Sequence, residues 1–206
     1  MSVYGVAVMT SRGGCGKTSL SHALALGAAW LDVEAHLCHT DAREPINVID
    51  RPYNFYDARD QTTLSNIIDS ALELNWGLVV VDSGGNRHKL DTWLAQSMDL
   101  ILIPVAPDPE DVKEALAHAK RLSLAGAVKV KFVINRWPNG TRQQAAALEK
   151  LEGLPESDIL CKVPIASAIQ LLRVDDSKTA FKTPPSKINN LARALYRAVK
   201  KELELA

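Results

Sequence analysis

The glycine-rich run Ser11-Arg12-Gly13-Gly14-Cys15-Gly16-Lys17-Thr18-Ser19 constrains this chain more than any other stretch. It follows the apolar run Val3 to Val8 and precedes Leu20 to Leu31, a segment rich in helix formers. Strand, glycine loop and helix in that order form the context in which a backbone wraps a phosphate group. The glycines let the chain turn with its N–H groups inward, and the helix start adds free N–H groups and a positive dipole end. Lys17, expected on an exposed loop, supplies a mobile charge for the outer phosphates, and Thr18 is placed to ligate magnesium through its hydroxyl. The common spacing G-x-x-x-x-G-K-[ST] wants a glycine at position 11, where this chain has Ser11, and the spare glycines are Gly13 and Gly14. The loop is therefore of a deviant kind.

With 206 residues, 47% of them hydrophobic, the chain is long enough for one sizeable core, and we read a single domain over residues 1–206. Lys+Arg and Asp+Glu both number 24, so the net charge is zero and only local clusters can attract nucleic acid or a membrane. Cys15, Cys38 and Cys161 form no C-x-x-C pair and are odd in number, which argues against a disulfide framework or a zinc site and fits a reducing cytoplasm. The first residues show no basic leader, and no apolar stretch approaches the roughly 18 residues that cross a bilayer. A cytoplasmic protein without a membrane partner is expected.

Strands and helices alternate along the chain. Strands are expected at Val3 to Val8, Ala35 to Asp41, Leu78 to Asp82, Leu100 to Pro104, Val128 to Ile134 and Ile159 to Lys162. Helices are expected at Leu20 to Leu31, Thr63 to Asn75, Glu110 to Leu124, Thr141 to Leu151 and Lys187 to Leu203. Residues Ala42 to Thr62 read as a mostly irregular loop with room for a short strand, in which Tyr53, Phe55 and Tyr56 cover the core edge or stack on a ligand. This alternation implies an α/β fold, a parallel doubly wound sheet with helices on both faces and ligands at the strands' carboxyl ends. Gly13 to Ser19, Asp41, Asp82 and Asn135 all fall at such ends.

Asp82 closes an apolar strand, the place from which an aspartate supports the magnesium shell beside a phosphate loop. Ser83-Gly84-Gly85-Asn86 follows as a candidate switch segment that moves with the terminal phosphate. His22, His36, His39, His88 and His118 show no ligand spacing and read as structural.

On these residues the chain resembles the ParA/MinD family of deviant Walker ATPases, and in its small size the short plasmid-partition ATPases of the ParF type. Arg12-Gly13-Gly14-Cys15-Gly16-Lys17-Thr18-Ser19 is similar to the family's K-G-G-x-G-K-T-[ST] loop, and His39-Thr40-Asp41-Ala42-Arg43 sits where the family has D-x-D-P-Q. Val79 to Gly85 resembles its D-x-x-G segment, Met98 to Pro109 its S-D-x-V-I-I-P-V-x-P-x-P stretch, and Asn135-Arg136 falls where the adenine base is read. The resemblance implies ATP, ADP and magnesium as cofactors. It also implies a homodimer that forms on ATP binding, non-specific DNA binding, an activating ParB-like or other adaptor, and association with the nucleoid when ATP is bound. The site residues it implies are Arg12, Lys17 and Asp41 for catalysis, Gly13 to Ser19 with Asn135 and Arg136 for the nucleotide, and Thr18, Asp82 and Asp41 for the metal.

This chain departs from the family pattern at three places. Arg12 stands for the lysine that crosses to the other subunit's nucleotide, and a planar fork is not a compact ammonium. His39 replaces the first carboxylate, which leaves Asp41 as the acid that orients water, and Ala42-Arg43 replaces Pro-Gln, so slow, partner-stimulated hydrolysis is expected. Between Arg173 and Lys201 there are eight basic residues and two acids, Asp175 and Asp176. Lys182, Lys187, Arg193, Arg197 and Lys200 from that segment are the candidate DNA contacts. The competing reading is a small-molecule kinase or an ATP-dependent ligase similar to dethiobiotin synthetase, which would need a compact acid/base cluster in a substrate pocket.

Overall fold

The computed structural model describes residues 3–75, 77–84, 88–165, 172 and 186–205. Among them, β1 (Tyr4–Val8), β2 (Ala35–His39), β3 (Asn54–Asp57), β4 (Leu78–Asp82), β5 (Leu100–Val105), β6 (Val130–Trp137) and β7 (Ile159–Pro164) form one sheet, ordered β3-β2-β4-β1-β5-β6-β7. Every neighbouring pair is parallel. The helices are α1 (Lys17–Ala29), α2 (Gln61–Leu74), α3 (His88–Ser97), α4 (Pro109–Leu124), α5 (Thr141–Glu149) and α6 (Ser186–Glu204).

The side-chain period of two along the central strands explains both faces of the sheet. Val6, Val8, Leu78, Val80, Leu100 and Leu102 pack with α1 and α6, while Ala7, Met9, Val79, Val81, Ile101 and Ile103 pack with α2, α3 and α4. On α6 the buried stripe is Ile188, Ala192, Leu195, Tyr196, Val199 and Leu203, the face its sequence period marks. Helix α1 meets α6 through Gly27, where a Cβ would overlap the Ala192 carbonyl.

The connections place the site. From β1 the chain runs through α1 to β2 on one side, and from β4 it runs through α3 to β5 on the other. β1 and β4 are neighbours, with Val8 opposite Asp82, so their carboxyl ends bound the crevice where an open α/β sheet binds its ligands.

Several expectations are corrected. A helix, α3, fills a span where the sequence suggested none. Its apolar residues Leu90, Leu94 and Ala95 are buried, but Lys89, Asp91, Thr92 and Gln96 break the run into a stripe too weak to read alone. Helix α1 begins at Lys17, directly after the glycine loop, and not at Leu20. Strand β2 stops at His39, so Asp41 lies beyond the sheet, in the loop. Strand β6 continues through Asn135 and Arg136 to Trp137, which pairs with Pro164; the register slips between Ile134 and Trp137, and Arg136 takes a left-handed φ of 57°. That irregularity re-aims both polar side chains toward the crevice. The short strand allowed for in the loop is β3, and Tyr53 beside it is buried, its hydroxyl 2.7 Å from His22 Nδ1.

Candidate functional site

Four carboxyl-end segments converge on the crevice: those after β1, β2 and β4, and the end of β6. The first is shaped by Gly14 and Gly16, whose φ values of 79° and 92° lie in the left-handed region that disfavours side chains. A Cβ at Gly16 would also overlap the Asn135 side chain. No side chain caps the N-terminus of α1, which leaves its first N–H groups for an anion. At Ser11, where the common motif has glycine, the backbone N–H donates to His118 Nδ1 at 2.9 Å. His118, on α4 and 3% exposed, thus anchors the loop from the far face of the sheet, a tie no local sequence pattern signals.

Lys17 differs from the expected exposed loop lysine. It is 8% exposed and donates to the carbonyls of Arg12 at 3.0 Å and Thr10 at 3.4 Å. Burial pulls its ammonium below the usual lysine range, and the negative charges of Asp82 and Asp41 oppose that pull. Its hydrogen bonds go to carbonyls of its own loop, a poor substitute for phosphate oxygens.

Behind it, Asp82 is buried at the end of β4 and accepts from Ser21 Oγ at 3.2 Å. Ser21 sits one turn into α1 and also donates to the Lys17 carbonyl at 3.0 Å. The Asp82 carbonyl takes the Thr40 N–H at 3.1 Å and the Thr40 hydroxyl at 3.0 Å, which ties the ends of β2 and β4 together. His39 bridges the same ends, with Nδ1 3.7 Å from Asp82 Oδ2 and Nε2 3.0 Å from the Arg43 carbonyl. Burial lowers its pKa, but the contact to Asp82, the bond to the Arg43 carbonyl and the charge of Asp41 outweigh it and raise the imidazole above its ordinary value. His39, where the resembled family carries a carboxylate, is thus set against the Asp82 carboxylate.

Asp41 is gripped by Arg43. The guanidinium donates from Nη2 to Oδ2 at 2.8 Å and from Nε to Oδ1 at 3.2 Å, and the Arg43 N–H adds a third bond at 3.1 Å. This grip draws the Asp41 carboxyl down to about 2. Thr18, Asp41, Arg43, His39 and His22 line one cavity of about 110 Å³.

The remaining site residues support the loop. Asn135 Nδ2 donates to the Cys15 carbonyl at 2.8 Å, and Arg136 Nη2 donates to the Gly14 carbonyl at 2.6 Å. These two, implied as readers of a base, here hold the phosphate loop in shape. Cys15 is buried beside Asp111, and burial first, then that charge, pushes its thiol up, so it stays protonated. Arg12 Nε lies 2.8 Å from Asp111 Oδ1 and its Nη1 3.4 Å from Glu110 Oε2, so two acids at the start of α4 hold the implied cross-subunit cation.

The candidate DNA contacts lie elsewhere. Lys187, Arg193, Arg197 and Lys200 occupy α6; Lys187, Arg197 and Lys200 are exposed, Arg193 is half-buried beside the stripe, and Lys200 pairs with Glu204 at 3.7 Å. Lys182, Arg173 and Lys178 lie outside the described residues, as do Gly85 and Asn86 of the candidate switch segment.

No protein-family model and no curated protein matches the sequence. Solved structures do. The cell division ATPase MinD of Pyrococcus furiosus superposes with a TM-score of 0.70 at 16% identity, covering 97% of this chain and 99% of the other. The septum site-determining protein MinD of Pyrococcus horikoshii, complexed with Mg-ADP, gives 0.70 at 15% identity, covering 97% of each chain. A ParA family ATPase from Chlorobium tepidum gives 0.66 at 12% identity, covering 96% of this chain and 98% of the other. This chain has the fold of the ParA and MinD ATPases, a single-layer parallel sheet with helices on both faces.

Proposed function

We propose that this protein is an ATPase of the ParA/MinD type, in which MgATP closes a homodimer, the dimer holds DNA without sequence preference, and an adaptor protein triggers hydrolysis and release. The observation that carries the reading is the buried Lys17 ammonium, hydrogen-bonded to the Thr10 and Arg12 carbonyls of a loop whose following helix is uncapped. A cation desolvated among neutral carbonyls at a helix N-terminus is a site prepared for an anion.

The residues present fit a magnesium nucleotide. The Thr18 hydroxyl and Asp41 line one cavity and Asp82 is buried at the end of β4 nearby, oxygen donors of the kind magnesium takes alongside water and phosphate. When bound, magnesium neutralises charge on the phosphates. Lys17 would exchange its two carbonyls for phosphate oxygens, and Thr18 would offer its hydroxyl to the metal. Asp82, fixed by Ser21, would support the metal's water shell. Asp41 would accept a hydrogen bond from the attacking water, and Arg12 would leave Asp111 and Glu110 to touch the second subunit's phosphates. Cytoplasmic cargo positioning on the nucleoid, as in plasmid partition, follows from this cycle.

DNA binding is expected from the α6 face, because a chain of zero net charge attracts DNA only through a local patch and a dimer presents that patch twice. In a mobility-shift titration with a non-hydrolysable ATP analogue, the double change Arg193→Ala and Arg197→Ala should weaken binding on every duplex tested. It should also flatten the dependence on log salt, whose slope is about −0.9 per phosphate neutralised. Equal binding with ADP and with the analogue, or an unchanged slope, would remove DNA from the cycle.

A further inference from the structure

We infer that Arg43 is an in-chain sensor of the terminal phosphate, exchanging its grip on Asp41 for that phosphate and so freeing Asp41 to orient water. The inference rests on the ATPase reading above and names which residue of this site distinguishes a triphosphate from a diphosphate.

Three observations carry it. First, Arg43 and Thr18 line the same cavity, and the Arg43 charge acts on Lys17, so the guanidinium stands within electrostatic reach of the phosphate loop. Second, Arg43 lines this cavity, whereas Arg12 and Arg136 pair with groups outside its lining. Arg12 is held by Asp111 at 2.8 Å and by Glu110 at 3.4 Å, and Arg136 donates to the Gly14 carbonyl at 2.6 Å. Arg43 is held by one carboxylate, and its side chain is 79% exposed, so turning it costs little packing. Third, the carboxylate it occupies lines the same cavity and is the acid to which the ATPase reading gives the attacking water, while Glu44, also in that lining, pairs with Arg59 at 2.8 Å. Asp82 is buried and engaged by Ser21, whereas Asp41 lies in the loop with its oxygens filled by Arg43.

These facts describe an exchange between equivalent partners. A guanidinium fork fits a phosphate in the same bidentate manner as a carboxylate, so moving from Asp41 to a terminal phosphate replaces one pair of charge-assisted hydrogen bonds by another. A diphosphate lacks the third phosphate that would take the guanidinium, so the proposed exchange belongs to the triphosphate alone. It also couples two events: the same movement that senses the phosphate uncovers the carboxylate that hydrolysis needs.

The test is calorimetric titration of MgADP and of a non-hydrolysable Mg-triphosphate analogue into wild-type protein, Arg43→Ala and Arg43→Lys, with steady-state hydrolysis of MgATP alongside. Arg43→Ala should lose about tenfold or more in affinity for the triphosphate analogue and stay within about twofold for MgADP. Arg43→Lys should recover part of the triphosphate affinity, through its charge, without recovering hydrolysis, because a point charge lacks the fork. Equal losses for both nucleotides, or an unchanged preference for the triphosphate, would overturn the inference while leaving nucleotide binding standing. Wild-type protein that binds neither nucleotide would overturn the ATPase reading and this inference together.

Discussion

Lys17→Ala is expected to abolish nucleotide binding measured by calorimetry with MgATP or MgADP. The wild-type ammonium has already left water and makes two bonds to carbonyls in the loop, so a phosphate gains its charge without the cost of burying it. Charge-assisted hydrogen bonds contribute about 1.5–3 kcal/mol each, and losing two costs roughly 3 kcal/mol or more, at least about a hundredfold in affinity. The fold should survive. The position lies at the rim of the sheet, and the variant removes a charge that burial disfavours. Wild-type affinity in the variant would mean that the loop binds no phosphate.

Gly27→Val is expected to cause the largest loss of stability from a single change outside the site. Helices α1 and α6 cross where Gly27 lets the α6 backbone at Ala192 come into contact, and any Cβ there would overlap a carbonyl that cannot rotate away. Overpacking a close-packed interface costs typically 1–3 kcal/mol, and backbone against backbone belongs at the upper end. For a chain of 206 residues that corresponds to a fall in melting temperature of about 6–12 °C. A melting curve matching wild type would show that α6 does not dock on α1 at this point. Because α6 also carries Arg193 and Arg197, partial undocking should weaken DNA binding as well.

What was legible in the sequence was local. The apolar runs that become β1, β4 and β5, the glycines at 14 and 16, and the aspartate closing β4 sit within a few residues of the pattern that reveals them. Features that depend on chain segments far apart were not legible. His118 holds Ser11 across 107 positions, Ser21 holds Asp82 across 61, and Asn135 holds Cys15 across 120. No spacing rule connects such pairs. Arg43 read only as a departure from a family pattern; its bidentate hold on Asp41, two residues away, emerged once the turn after β2 brought both side chains to one cavity. The short reach of β2 and the long reach of β6 have a similar cause: strand length is set by pairing with β4 and β7, and residue propensity does not report it.

In the function proposed above, the terminal phosphate of ATP controls association of two subunits at this loop. Sedimentation velocity on the full chain tests it directly, with MgADP in one cell and a non-hydrolysable Mg-triphosphate analogue in another. A monomer is expected with MgADP, a doubled mass with the analogue, and a monomer in both cells for Arg12→Ala, whose guanidinium would otherwise leave Asp111 to reach the partner. A wild-type protein that stays monomeric at high concentration with saturating analogue would contradict it.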